Sequence, residues 1–370
     1  MPAEPDLRRA EALLSEVFGA LTIEAAERCA PWFVSRLRLR GQSTAPPSVI
    51  VKWLRESPVG FRTDPTQLLN EWAALEFLGD LGLGVAPRLV VADAEVLVME
   101  DLAPRVPLFD LLARDDPGAV DGLRAFASTM GHLHAATTAE SELYHERRRR
   151  LGPTDPAEAV RHIDGIWDWQ LPEVEIVGMG ASHAAEAEMA VVRDTLTRPG
   201  PFLTFTNGDS GANNFLVTGG EGRIIDFEFA GYRHALIDAA CLYMPGSMWM
   251  TVAHPAPSGA DSLYRTALCA AVPQAEDDLI YGHGLAAACM ARTMEKLLRL
   301  PKLDARPPGH HSRAQIISTI DSAVRVAEAQ RALPHLTTWA HTLADTLRQR
   351  WPDADRDFPE AYTTREPLSG

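Results

Sequence analysis

Apolar positions recur every second residue in the early part of the chain and every third or fourth residue over most of the remainder. Between residues 20 and 55, ALTIEAAERC, WFVSRLRLR and SVIVKWLR alternate or carry β-branched residues and predict strands, with GQSTAPP as a loop. PTQLLNEWAALEFLGD predicts a helix at about 65–80, with Asp64 as its cap and Pro65 at its first position. PRLVVADAEVLVMEDLA predicts two short strands joined at DAE. From about residue 118 the spacing is helical: in AVDGLRAFASTMGHLHAAT, Leu123, Phe126, Met130 and Leu133 share one stripe. Helical patterning runs on to about residue 350, interrupted by one hairpin (NFLV and RIID joined by TGGEG) and by PPGHHS. The pattern predicts an α+β chain of two lobes. A small sheet-rich lobe spans 1–103, a hinge lies near 100–105, and a helical lobe over 104–370 holds the hairpin.

The totals narrow the classes. The 370 residues are 46% hydrophobic, enough for a sizeable core, and no apolar run is long enough for a membrane span. The start, MPAEPDLRRAEALLSEVFGA, is amphipathic and lacks the apolar block of a secretory signal. Cys29, Cys241, Cys269 and Cys289 lie far apart, which predicts free thiols in a reducing cytoplasm. A net charge of −15 argues against nucleic acid as a partner, and the one basic run, HERRRR at 145–150, reads as a solvated helix end or loop. An acidic surface suits a cationic small molecule and equally keeps a protein soluble. Charge leaves both open.

Candidate chemistry concentrates in TFTNGDSGANNFLVTGGEGRIIDFEFAG, residues 204–231. With the loop centred on Gly220, Asn214 falls opposite Asp226 at one end of the ribbon. An amide and a carboxylate offer oxygen ligands only, which suits Mg²⁺, and Asp209 nearby can take a proton from a hydroxyl. Two charges in the first lobe stand where apolar residues belong. Lys52 shares a strand face with Ile50 and Leu54, and Glu71 lies on the helix stripe of Leu68, Leu75 and Leu78. Pairing recovers much of the cost of burying either, so a Lys52–Glu71 ion pair is expected. The bland alternative places Glu71 at the stripe's edge and lets Lys52 snorkel to water.

Taken in chain order, Lys52, Glu71, VLVMEDL, Asn207-Gly208-Asp209, Asn214 and Ile224-Ile225-Asp226 resemble the aminoglycoside phosphotransferase and choline kinase-like family. Its signature is HGDxxxxN followed by a hydrophobic pair and Asp; GHLHAAT at 131–137 and ALIDAA at 235–240 also match, and the resemblance covers roughly 20–245. It implies a two-lobed protein-kinase-like fold, with a small antiparallel sheet in the first lobe, and transfer of the γ-phosphoryl group of ATP or GTP to a small-molecule hydroxyl. In that scheme Lys52, oriented by Glu71, holds nucleotide phosphates, and Met99 with the backbone of Glu100 and Leu102 meets the base. Asp209 faces the acceptor hydroxyl, Asn214 and Asp226 hold Mg²⁺, and Asp238 braces the catalytic loop. Asp164 and Asp168 of GIWDWQ, four apart on one helix face, would line an acceptor pocket for an amine-bearing aminoglycoside or amino sugar. A solvated acidic face is the favoured reading of the two.

The chain departs from the family pattern in three places. Asn207 replaces the usual His, AERCAPW is the one candidate for a phosphate-covering loop, and Glu228 follows Asp-Phe where protein kinases carry Gly. Two rivals stay open: an inactive kinase-like binding module, and a kinase acting on protein. The second lacks an activation segment ending in Ala-Pro-Glu. His132 and His134 are expected to pack or meet solvent, and His310 and His311 to lie in a loop without partners. Met244, Met248, Trp249 and Met250 are expected to fill core.

Overall fold

The alternation of the first strands is explained by two helices, one on each face of a sheet. A computed structural model describes residues 7–29, 34–41, 44–54, 65–114, 116–155, 178–245 and 258–354. Helix α1 (Leu7–Phe18) precedes strands β1 (Leu21–Cys29), β2 (Val34–Gly41) and β3 (Ser48–Trp53). Helix α2 (Pro65–Asp80) and strands β4 (Leu89–Ala92) and β5 (Val96–Glu100) come next. The strands form one antiparallel sheet in the order β1-β2-β3-β5-β4. Ala10 and Leu14 of α1 pack on Leu37, Leu39, Val49, Val51, Val96 and Val98, which share one face. The residues between them, Ile50 and Lys52 on β3 and Leu97 and Met99 on β5, point to the other face, where α2 lies. The amphipathic start is therefore a helix that closes the sheet's second face.

The chain continues through β6 (Val106–Pro107), α3 (Leu108–Ala113), α4 (Ala119–Thr137), α5 (Ser141–Arg150) and α6 (His183–Thr197). Strands β7 (Leu203–Thr206), β8 (Phe215–Thr218), β9 (Glu221–Ile224) and β10 (Gly231–His234) lead to the short α7 (Leu236–Ala239). The remaining α-helices among the described residues are α8 (Ala260–Cys269), α9 (Asp278–Leu297), α10 (Leu300–Asp304), α11 (His311–Ala329) and α12 (Pro334–Arg350). Two compact units result. The first takes in Met1–Arg105, Glu142–Thr154 and Arg223–Ala230; the second takes in the rest.

In the second unit α9 is buried on almost every side, from Tyr281 to Leu297, and packs on α6, α7 and α11. Asp277 caps its start, accepting from the N–H groups of Leu279 and Ile280. Gly131 lets α4 meet α8 closely: a Cβ there would stand 2.6 Å from the Tyr264 carbonyl oxygen and 2.7 Å from Ala267 Cβ. Strand β7 pairs with β10 and is tied to α4, because the Phe205 N–H donates to Thr137 Oγ1 and the Tyr232 hydroxyl donates to the Thr137 carbonyl. The loop joining β8 to β9 is two residues long. Gly219 and Gly220 have φ of +56° and +79°, the backbone of a type I′ turn. Its centre lies between the glycines, not on Gly220, and the expected pairing symmetric about Gly220 gives way to it.

Candidate functional site

In the first unit the two charges expected to meet do so. Glu71 is 1% exposed and Lys52 9%, and Lys52 Nζ donates to Glu71 Oε1 at 2.7 Å and Oε2 at 2.6 Å. Neither charge reaches for water along a stripe's edge. The same ammonium donates to Asp226 Oδ1 at 2.7 Å. Asp226 stands just beyond β9 in left-handed backbone, φ +64°, which Asp tolerates better than most residues. Its neighbours hold it there. The Phe227 N–H lies 3.4 Å from Glu71 Oε1, Asn70 Nδ2 donates to the Glu228 carbonyl, and the Tyr144 hydroxyl donates to the Ala230 carbonyl.

Arg148 completes this brace and corrects the reading of the basic run. It is 2% exposed, and its Nε donates to Asn70 Oδ1 at 2.6 Å. Arg149 and Arg150 are exposed, as a solvated helix end requires. The spacing of Tyr144 and Arg148, four apart on α5, was the available signal that one arginine faces inward.

The end of β5 is fixed by a residue that sequence reasoning missed. Asp101 Oδ2 accepts from Arg36 Nε and Ser48 Oγ, each at 2.7 Å, and Oδ1 accepts from the Ala103 N–H at 3.1 Å. Burial pushes its carboxyl up, but Ser48, Arg36 and the Ala103 N–H more than offset that and hold it below the usual range. Met99 beside it is buried. The Glu100 N–H donates to the Arg88 carbonyl, and the Leu102 carbonyl accepts from Arg105. The groups left to meet a base edge are the Glu100 carbonyl and the Leu102 N–H.

In the second unit the loop after β7 is held from beneath. Asp238, 1% exposed on α7, accepts from the N–H groups of Asn207 at 2.7 Å and Gly208 at 3.2 Å. Burial pushes this carboxyl up, yet its neighbours, His134 and Arg233 among them, hold it below the usual range. His134 is wholly buried, with Nε2 3.7 Å from Asp238 and Nδ1 2.9 Å from the Tyr264 hydroxyl. Asn207 is also wholly buried, and its Oδ1 accepts from the Asp209 N–H at 3.1 Å. Asn214 closes the short turn Ala212–Asn214, and its Nδ2 donates to the Asp209 carbonyl at 2.9 Å and to Asp209 Oδ2 at 3.2 Å. Its Oδ1 accepts from Asn213 Nδ2. Asp209, half-buried, is thus oriented by its own loop. The asparagine at the usual His position does architectural work through its amide oxygen.

Residues 52–279, more than half of the chain, match the phosphotransferase enzyme family. The chain belongs to that family. The protein is therefore a phosphotransferase. No curated protein sequence matches it. Among solved structures it is similar to a choline/ethanolamine kinase family protein from Mesorhizobium loti, at 16% identity over 92% of this chain and 99% of that one, TM-score 0.49. It is also similar to an amicoumacin kinase in complex with AMP-PNP and Ca²⁺, at 15% identity over 93% and 94% of the two chains, TM-score 0.47. A macrolide 2′-phosphotransferase from Brachybacterium faecium gives 13% identity over 91% and 97%, TM-score 0.47.

Several expectations for the phosphotransferase fall outside the described residues. These are Asp164 and Asp168, residues 30–32 of the candidate phosphate-covering loop AERCAPW, and Met248, Trp249 and Met250. Met244 is buried, as core packing requires. His132 is exposed and meets Ser128. His310 does have a partner: its Nδ1 accepts from the Ser312 N–H and caps α11, with the His311 ring stacked on it. Among the described residues no helix is long and apolar enough to cross a membrane.

Proposed function

We propose that this phosphotransferase moves the γ-phosphoryl group of ATP or GTP to a hydroxyl of a small molecule. The observation that carries the reading is the Lys52 ammonium held between Glu71 and Asp226 in the first unit. A cation fixed at that height above a strand serves nucleotide phosphates, and Glu71 keeps it aimed when Asp226 turns to other partners. Met99, the Glu100 carbonyl and the Leu102 N–H take the base, in a segment pinned by Asp101. Asp209 takes the acceptor hydroxyl, orienting it and accepting its proton, with Asn207 and Asn214 setting the carboxylate's direction.

The family resemblance assigns Asn214 and Asp226 to a hard cation; each by itself presents oxygen, and the Asn214 Nδ2 is already committed to Asp209. Mg²⁺ bound through those two residues would neutralise phosphate charge. A cytoplasmic location belongs to the same proposal and is supported by four free thiols. An amine on the acceptor is the expectation tied to Asp164 and Asp168.

The test is a phosphate-transfer screen with Mg·ATP over amino sugars, aminoglycosides, other antibiotics and amino alcohols, run beside Asp209→Ala. The variant is expected to lose about 10²–10⁴-fold in turnover while binding nucleotide as before. Turnover close to wild type would remove Asp209 from the mechanism. Nucleotide binding without transfer or hydrolysis under any condition would favour an inactive binding module.

A further inference from the structure

Within the first unit, one face of α5 meets both α2 and the segment that carries Asp226. Tyr144, Arg147 and Arg148, spaced three and four apart, make that face. The Tyr144 ring stands edge-on to Phe77 at 5.7 Å, Arg147 Nε donates to Asp80 at 2.6 Å, and Arg148 Nε donates to Asn70 Oδ1 at 2.6 Å. Phe77, Asp80 and Asn70 all lie on α2, which also carries Glu71. Tyr144 and Asn70 reach the segment after Asp226 as well, donating to the Ala230 carbonyl at 3.2 Å and to the Glu228 carbonyl at 3.3 Å.

That segment needs support. Asp226 has φ +64°, a region that strains a residue other than glycine and persists only where its surroundings fix it. The bond from the Phe227 N–H to Glu71 Oε1 is long, at 3.4 Å. Asn70 contributes through a single amide with two tasks. Its oxygen accepts from Arg148 and its nitrogen donates to Glu228, so the guanidinium decides which way the amide faces. Arg148 is 2% exposed, and its planar head also places Nη1 3.5 Å from the Gly152 carbonyl. Lys52 is held differently: Glu71 meets it directly at 2.6 and 2.7 Å.

We propose that Arg148 and Asn70 are positioning residues for Asp226. The guanidinium orients the Asn70 amide, the amide holds the Glu228 carbonyl, and the carboxylate two residues earlier is aimed by that hold. The proposal rests on the phosphotransferase reading, in which Asp226 holds Mg²⁺ at the nucleotide phosphates. It gives α5 a share in metal-dependent nucleotide binding and leaves the aim of Lys52 to Glu71.

Calorimetry of ATP binding to the full chain, without metal and with Mg²⁺, reads the two parts separately. Wild type is expected to gain affinity when Mg²⁺ is added. Asn70→Asp keeps an oxygen for Arg148 but sets an acceptor against the Glu228 carbonyl, and Arg148→Met leaves the amide unoriented. Each should lower the Mg²⁺-dependent gain about tenfold and keep the metal-free ATP affinity. Arg148→Lys, a charge without the planar fork, should recover part of the loss. Urea midpoints on the same samples separate aim from folding, since Asn70→Asp should lose the gain while unfolding near the wild-type midpoint. Should Arg148→Met fail to fold, Asn70→Asp reads the same link. A full Mg²⁺-dependent gain in Asn70→Asp overturns the proposal and leaves the phosphotransferase reading standing. So does an equal loss of affinity with and without metal, which general loosening of the unit would give. A wild type that binds no ATP in either condition defeats the proposal and the nucleotide reading together.

Discussion

Lys52 and Lys296 are both drawn away from solvent, and the molecule treats them in opposite ways. Lys52 meets Glu71 and Asp226 at 2.6–2.7 Å. Lys296 meets one carbonyl, and burial first, then Arg292 and Arg299, push it down to about 7 against smaller upward pulls from Glu295 and Asp209. The first cation is compensated within its own unit, so its position is set before any ligand arrives. The second has no carboxylate within ion-pair distance among the described residues, so burying its charge costs stability. A compensated charge reports how a fold aims a group. A buried charge without a carboxylate beside it reports where the fold bears a cost.

The largest effect is expected where the compensation is broken. Lys52→Met strands two carboxylates and should destabilise the protein by about 3–5 kcal/mol, with loss of transfer. Glu71→Gln leaves the Lys52–Asp226 contact intact and should cost less. The double variant should be less impaired than the sum of the singles, with a coupling on the order of 1–3 kcal/mol. Urea midpoints for the four proteins give the cycle. Additive losses would mean that the pair is not a unit.

Removing the second cation should do the reverse. Lysine ordinarily titrates near about 10.4, and Lys296 is pushed down to about 7. Below pH 7 both states hold the proton and the folded state bears the full cost of burying the charge. As pH rises from 7 towards 10.4, the folded state sheds the proton first and that cost fades. Lys296→Met should therefore be more stable than wild type at pH 6, by on the order of 2 kcal/mol once residual solvent is allowed for, and less so at pH 9. Thermal unfolding at the two pH values decides it. A variant less stable than wild type at pH 6 would show that Lys296 is compensated after all.

The same contrast separates what could be read from the sequence from what could not. Lys52 and Glu71 were legible because each charge breaks an apolar pattern, and a broken pattern has a cause. Strands β1, β2, β4 and β5 were legible for the converse reason: no buried charge interrupts their patterns, and their ends are marked by Gly41 and the turn at DAE. Asp209, Asn214 and Asp226 stood out by spacing. Asp101 with Arg36 did not, because that contact joins the second strand to the residue after the fifth, and only strand order makes them neighbours. Arg148 was masked by the three arginines around it. Lys296 stands four residues after Arg292 like many surface pairs, and its withdrawal from solvent is not written in a sequence. The hairpin register turned on half a residue, the difference between a loop centred on Gly220 and one centred between two glycines.

The smallest effect concerns Asp101, a compensated anion in the first unit. Burial pushes its carboxyl up, and the bonds from Ser48, Arg36 and the Ala103 N–H bring it below the usual range. A carboxylate depressed in the folded state contributes stability that is present above its unfolded value, about 3.9, and is lost as pH falls through the folded value. Asp101→Asn keeps the shape but accepts more weakly, so it should lose about 1–2 kcal/mol at pH 7. The gap to wild type should close below pH 4, where the native carboxyl also begins to take up its proton. Because the same bonds pin the backbone between Glu100 and Ala103, nucleotide affinity should fall a few-fold at pH 7. Urea midpoints at pH 7 and 3.5 measure the first expectation. A gap that is the same at both pH values would mean that the Asp101 charge contributes nothing, and that the segment is held by packing alone.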